Sequence, residues 1–426
     1  MKPSFIDASA SFEQICVGLA RDAGHWTVKA GELLMRSSFQ PIYSLPHRRV
    51  VGHEALLRAE DVAGRAVQPS LALHGEGTFT DLLRADRSAR LVHSLNFAEM
   101  APPSHWLFFN MQPQVFVMLA QVAQDGFQHK LLQRSGLHGH QLVLEVLEEA
   151  VPDSADFEGA VRLARASGCL IALDDFGAGH SNFDRVWRLQ PEIVKLDLSL
   201  VRRAALHAQS LSVVTHMVSL LHQCGALVLM EGIETQEEAF VALEADADLV
   251  QGDLFARPAP DLVAAGDAPL ALSTLWGDYE RRRAAAQRSY DERLKPYIAA
   301  IGAGSVLLAK GRALTEATRT FLQLPRAQLC YLLDGDARQV GENVWAPRPA
   351  RAEPPAFAPL RDAEGAQWAR RPYYRRAMAS VGEVQVTRPY RTLHGAHLCV
   401  TVSVAFRCAE GLRVICGDLA WEGDSP

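Results

Sequence analysis

The stretch LIALDDFGAGHSN, residues 170–182, decides how this chain is read. Four apolar residues with the look of a buried β-strand run directly into two adjacent carboxylates and a glycine-flanked turn. Like charges at one strand end repel unless a cation lies between them, and a divalent metal ion removes that cost. The plainer alternative has one aspartate capping the next helix and the other facing water. Residues elsewhere in the chain separate the two readings.

On either side of this stretch, from about Ser38 to Pro260, short apolar runs alternate with longer segments of helical period. The strand candidates are FQPIYSL, VVGHEAL, WLFFNMQ, LVLEVLE, CLIALDD, IVKLDLS, ALVLMEG and DLVQGDL, with helical segments such as FEGAVRLARAS and LSVVTHMVSLLHQC between them. Eight strands with interleaved helices predict an α/β fold, a TIM-type (β/α)8 barrel. A doubly wound open sheet fits the same alternation, but no GxGxxG turn follows the first strand.

The rest of the composition narrows the class. A chain of 426 residues accommodates a barrel and a smaller domain. The formal charge of -6 and pI near 6.2 provide no general basic field for long nucleic acid, although a nucleotide fits. Seven cysteines without CxxC spacing argue against a disulfide framework or a zinc site, and read as reduced thiols. Neither a signal peptide nor a run of about 18 apolar residues is apparent, so a cytoplasmic protein without a membrane span is expected.

Polar groups end the other strand candidates too. Glu54 follows VVGH, Asn110 follows WLFF, Glu145 follows LVL, Lys195 follows EIV, Glu231 follows ALVLM and Gln251 follows DLV. In a parallel barrel the carboxyl ends of the strands share one face, so residues far apart in sequence converge on one pocket. Clustered charges of this kind destabilise a protein unless they serve a site. Oxygen ligands without histidine or thiolate favour magnesium or manganese. Acids able to bridge two ions suit two-metal hydrolysis of a phosphodiester, with Lys195 placing a positive charge near the water or phosphate.

The ordered motifs E54-A-L-L-R, Asn110, Glu145 in LEVLE, DDFGAGHSN, KLD at 195–197, EGIET at 231–235 and QGDLFARP at 251–258 closely resemble the EAL-domain family of cyclic di-GMP phosphodiesterases. The resemblance implies a TIM-type barrel that opens cyclic di-GMP to linear pGpG with Mg²⁺ or Mn²⁺, two ions being expected. It implies metal ligands Glu54, Asn110, Glu145, Asp174, Asp175 and Glu231, with Asp174 bridging. Lys195 would bind the nucleophilic water, Glu231 or a neighbouring acid would accept its proton, and Glu148 would steady the DDFG loop. Glu54, Lys195, Glu231 and Glu148 are thus the expected catalytic group. Gln40, Leu57, Arg58, Asp197, Gln251 and Arg257 are the expected substrate contacts, and a homodimer is the expected assembly. For Gln40, Arg58 and Asp197 the plainer alternative is a surface salt bridge or hydrogen bond.

Departures from the family wording fall at Leu147, His180, Asn182, Met230 and Asp253, none of them an expected ligand. The segment after Arg58 also departs, which leaves the nucleotide rim open. His53 reads as a packed or solvent-facing residue rather than a ligand.

Residues 1–268 are therefore expected to form the phosphodiesterase domain, with its barrel core at about 38–260, and 269–301 a charged connecting helix. Residues 302–426 are expected to form a smaller α+β domain, with strands in CYLLDGDARQVGENV, VGEVQVTRPY, HLCVTVSVAFR and LRVICGDLAW and an exposed Pro-rich loop at 345–359. The string WARRPYYRRA with VTRPY and CGDL looks like the ligand-sensing PAS/Cache superfamily. Trp368, Arg371, Tyr373, Tyr390 and Asp418 are its candidate contacts for a small carboxylate or amine. The leading reading is a metal-dependent phosphodiesterase regulated by this domain. The alternative is a non-catalytic cyclic di-GMP receptor signalling to a protein partner.

Overall fold

The computed structural model describes residues 10–74, 78–118, 126–148, 155–179, 183–263, 270–347, 362–392 and 397–421. His180 and Asn182, and most of the Pro-rich loop, lie outside them. The chain forms two compact units, Met1–Tyr279 and Glu280–Pro426.

In the first unit a hairpin of β1 (Leu19–Asp22) and β2 (His25–Ala30) leads into β3 (Leu33–Ser44) and β4 (Arg49–Glu60). After the short β5 (Ala66–Val67) come β6 (Trp106–Asn110), β7 (Leu142–Leu147), β8 (Leu170–Phe176), β9 (Ile193–Leu196), β10 (Leu227–Met230) and β11 (Leu249–Val250). The order β3-β11-β10-β9-β8-β7-β6-β4 closes on itself through β3–β4 pairing, so the sheet is an eight-stranded barrel and not an open one. One feature differs from the expected parallel barrel. Strand β3 runs antiparallel to both of its neighbours, β4 and β11, while the pairs from β4 round to β11 are parallel.

The strands are apolar on both faces because helices cover the outside and side chains fill the inside. Ile42, Phe108, Val143, Ala172, Ile193, Leu229 and Leu249, one from each of seven strands, pack together as a separate apolar cluster. On β4 the corresponding position is Gly52, where a Cβ would crowd Trp106 and the ring of Phe108.

The helix Phe79–Met100 begins with a capping box, Thr78 and Asp81 bonding reciprocally, and buries polar residues along most of its length. Asp86 and Arg90 form a buried ion pair at 2.7 Å, and His93 shares a 2.8 Å hydrogen bond with Ser37. Burial, with the nearby Arg58 charge, pushes the His93 imidazole from its ordinary 6.5 down to about 3. Between those two values the unfolded chain binds a proton that the folded chain refuses, so the stability owed to His93 begins to fall as pH drops through 6.5 and is lost by about 3. His93→Gln is expected to remove up to about 1.4 kcal/mol per pH unit from that acid slope. Urea denaturation at pH 7.5 and 5.5 reads it, and identical slopes in both proteins would refute the assignment.

The helix Leu270–Ala309 carries 40 residues, and residue 301, the expected end of the connecting helix, lies inside it. Its Leu272 and Leu275 belong to the core of the first unit, and Leu294, Tyr297, Ala300 and Ile301 to that of the second. The second unit is an antiparallel sheet of β12 (Ala327–Leu333), β13 (Gln339–Trp345), β14 (Gln385–Val386), β15 (Tyr390–Arg391), β16 (Leu398–Cys408) and β17 (Gly411–Ala420). Its order is β13-β12-β17-β16-β14, with β15 also on β16. The run VGEVQVTRPY, read as one strand, yields only the two short pieces β14 and β15. Alternate residues of β12, β16 and β17 divide between two cores, one shared with the long helix and the other with the helix Pro372–Ala379. All seven cysteines are free thiols. Among the described residues no helix is long and apolar enough to cross a membrane.

Candidate active site

Side chains two positions apart on a strand share a face, and this period builds the site. Two residues beyond six members of the apolar cluster, on the same strand or one residue past its end, comes a polar one: Asn110 after Phe108, Glu145 after Val143, Asp174 after Ala172, Lys195 after Ile193, Glu231 after Leu229 and Gln251 after Leu249. Glu54 follows Gly52 in the same way. On the reversed β3 the order inverts, and Gln40 precedes Ile42. A polar layer therefore lies directly on the apolar one, and the register pairs Gln40 with Glu54 across β3–β4 and Asn110 with Glu145 across β6–β7.

At the centre of this layer stands the Lys195 ammonium. Its Nζ lies 2.7 Å from Glu145, 2.9 Å from Glu231, 3.0 Å from Asp174 and 4.0 Å from Glu54. Glu54 is held from two sides, by Asn110 Nδ2 and Gln251 Nε2, each donating at 2.7 Å. Gln251 Nε2 also donates to Gln40 Oε1 at 3.1 Å. Burial alone would pull the lysine down, and the surrounding carboxylates raise it well above its ordinary value. Desolvation and the neighbouring Glu54 raise the Glu145 carboxyl well above the usual range, against the pull of Lys195. Desolvation likewise lifts Glu231 to about 8, again against Lys195, with Asp174 and Glu54 adding to the rise. One ammonium does not compensate this many acids.

The two aspartates of the opening stretch are neither helix cap nor solvent-facing pair. The register between β8 and β9 slips between Leu173 and Phe176, and Asp175 takes φ 56°. Such an irregularity re-aims side chains at a strand end, and carboxylate oxygens of Asp174, Asp175 and Glu231 come within 4.8 Å of one another. The next residues are fixed by Glu148, which accepts from the Gly177 amide at 3.4 Å and pairs with Arg185 at 3.2 Å. Gly177 itself has φ 101°, and a Cβ there would run into the Leu200 side chain.

The residues present suit a hard divalent cation. All the donors are oxygens, and of the two oxygens of Glu145, a residue 1% exposed, Oε1 has the Lys195 ammonium at 2.7 Å while Oε2 accepts no hydrogen bond.

The expected substrate contacts are less uniformly placed. Gln40 joins the cluster through Gln251 and reaches Ala256 O at 3.2 Å. Arg58 and the buried Leu57 line a 280 Å³ cavity together with Asn110. Arg257 is 83% exposed and pairs with Asp253 at 3.2 Å, and Asp253 in turn touches Gln40 at 3.4 Å. Asp197 caps the helix Leu198–Leu206 through the Ser199 amide at 2.9 Å, the plainer of its two alternatives. His53 is fully buried against Phe97 and His105, a packed residue. Sequence reasoning missed Asp86, Arg90 and His93, which line the same cavity as Arg58. The i,i+4 spacing of Asp86 and Arg90 was the available signal. In the second unit Trp368, Arg371, Tyr373, Tyr390 and Asp418 all line one small cavity.

The EAL domain model matches residues 27–258, a span that contains all eight barrel strands and the acid cluster at their ends. The chain belongs to the EAL domain family. Among its relatives, the cyclic di-GMP phosphodiesterase RocR of Pseudomonas aeruginosa is 30% identical over 231 residues, covering 46% of this chain and 57% of that one. The blue light- and temperature-regulated antirepressor BluF of Escherichia coli is 23% identical over 221 residues, covering 52% and 53%. The chain thus spans just over half the length of these two curated relatives. A solved structure of the Bacillus subtilis YkuI protein, with an EAL domain, in complex with substrate c-di-GMP and calcium, superposes with a TM-score of 0.76 at 18% identity, covering 91% of this chain and 97% of that one. That likeness is one of fold.

Proposed function

We propose that the chain hydrolyses one phosphodiester bond of cyclic di-GMP to give linear pGpG. The observation that carries this reading is the buried convergence of Glu54, Glu145, Asp174, Asp175 and Glu231 around Lys195. Glu54, Asn110, Glu145 and Asp174 would hold one Mg²⁺ or Mn²⁺ ion, and Asp174, Asp175 and Glu231 would hold a second. Bound there, the ions supply Lewis-acid stabilisation of the phosphoryl charge and a water that ionises near neutrality. Lys195 orients that water or a phosphate oxygen. Glu231 or a neighbouring carboxylate would take the water's proton. Asn110 and Gln251 fix Glu54, while Arg58 and Gln40 bind phosphate and guanine beside it. Glu148 positions the Asp174–Gly177 turn. The protein acts in the cytoplasm as a homodimer, and the domain from residue 302 regulates it.

Incubating the purified chain with cyclic di-GMP and Mn²⁺ and resolving the nucleotides tests the reading: pGpG is expected, and nucleotide bound but intact would favour the receptor alternative. Replacing Mn²⁺ by Ca²⁺ is expected to abolish turnover, because the longer and looser coordination of calcium misplaces the water. Comparable rates in calcium would contradict the proposed role of the acids.

A further inference from the structure

The formal charge of -6 averages two unlike units. Met1–Tyr279 holds 21 lysines and arginines against 34 acids, a net of -13, and Glu280–Pro426 holds 22 against 15, a net of +7. The phosphodiesterase reading makes no use of the basic excess in the second unit. At physiological ionic strength charges are screened over about 8 Å, so local charge, and not the total of the chain, decides what a surface attracts.

Between Trp368 and Arg391 the second unit carries six arginines and one acid, Glu383. Five of the six, Arg370, Arg375, Arg376, Arg388 and Arg391, are exposed, and none of the five belongs to the cavity lined by Arg371 and Asp418. The helix Pro372–Ala379 buries Tyr373, Tyr374 and Ala377 and is fastened to β16 by Ser403 Oγ, which donates to Tyr373 O at 2.9 Å. Arg375 and Arg376 remain exposed on that helix. Arg376 Nη1 donates to Val386 O of β14 at 3.4 Å, Arg388 stands between β14 and β15, and Arg391 lies on β15. Among the described residues none of the five forms an ion pair. Apolar side chains flank them: Val381, one residue past the helix cap, and Leu398, the cross-strand partner of Arg391, are each 45% exposed.

Guanidiniums gathered without acids repel one another, and they match an array of phosphates. Of the aromatic residues in this stretch, Tyr373 and Tyr374 are buried and Trp368 and Tyr390 only partly exposed, so the bases of a nucleic acid find no open ring on which to stack. Exposed arginines beside exposed aliphatic side chains suit the headgroup boundary of an anionic bilayer instead. We propose that this edge of the second unit docks on an anionic phospholipid surface, with the five guanidiniums on phosphate and with Val381 and Leu398 entering the boundary. The attachment is peripheral and independent of the proposed hydrolysis, and its test reads binding alone.

Co-sedimentation of the full chain with lipid vesicles in EDTA tests the proposal, the chelator preventing metal from bridging the acids of the first unit to phosphate. Binding is expected to vesicles with about one third phosphatidylglycerol and not to pure phosphatidylcholine, and to disappear as salt rises from about 50 to about 500 mM. Arg375→Gln with Arg388→Gln is expected to weaken it about 25-fold, roughly fivefold per charge. Arg312→Gln with Arg319→Gln, an equal charge change at exposed positions elsewhere in the unit, is expected to shift it less than about threefold. The lipid and salt comparisons on the unsubstituted chain stand whether or not the variants fold. Equal binding to neutral vesicles, no binding at low salt, equal losses in the two double variants, or tighter binding of a single-stranded oligouridine would overturn the proposal.

Discussion

Glu54→Ala is expected to lower turnover of cyclic di-GMP by about a thousandfold or more while nucleotide binding remains measurable. Its carboxylate is held by the amides of Asn110 on β6 and of Gln251 just beyond β11, both members of the polar layer. Truncation therefore removes a proposed metal ligand and leaves Asn110 and Gln251 without the carboxylate to which they donate. Arg58 and the 280 Å³ cavity that it lines are left intact, so affinity falls far less than rate. Single-turnover hydrolysis with Mn²⁺, set beside equilibrium binding in Ca²⁺, separates the two effects. Equal hydrolysis by variant and wild type would remove Glu54 from the mechanism.

A second large effect falls on stability. Lys195→Met leaves Glu145, Asp174 and Glu231 without the ammonium that lies within 3.0 Å of each of them. Breaking a buried ion cluster by deleting its single cation costs about 3–5 kcal/mol. The lower end is expected here, because burial and the neighbouring acids already raise the Glu145 and Glu231 carboxyls above the ordinary range. Urea denaturation without metal measures the loss, and Mn²⁺ at a hundred times its dissociation constant is expected to restore about 2.7 kcal/mol. An unchanged midpoint for the metal-free variant would show that the lysine is not the counter-charge of the cluster.

The barrel and its acids were legible in the sequence for one reason. A strand buried on both faces is a nearly unbroken apolar run, so a charged residue at its end stands out, as Glu145 does in LVLEVL and Lys195 in IVKL. Strand direction leaves no such mark, and the reversal of β3 was invisible because FQPIYSL reads the same either way. The hairpin of β1 and β2 was missed because β1, the four residues LARD, is mostly exposed and carries no apolar run. In the helix Phe79–Met100 the buried Asp86, Arg87, Arg90 and His93 blur the apolar period from which a core helix is recognised. The Asp174–Asp175 pair was seen, but the slip in register that turns both towards Glu231 is a property of the pairing with β9 and not of the local sequence.

The reversed strand changes how the chain arrives at its own chemistry. Because Leu34 pairs with Glu60, and Ser44 with Arg49, β3 begins at the mouth of the barrel and ends at its base. In an all-parallel barrel whatever precedes the first strand is delivered to the far end. Here the hairpin of β1 and β2 feeds the chain in beside the acids, so the segment that precedes the first barrel strand enters at the acid-bearing rim and does not have to span the length of the cylinder.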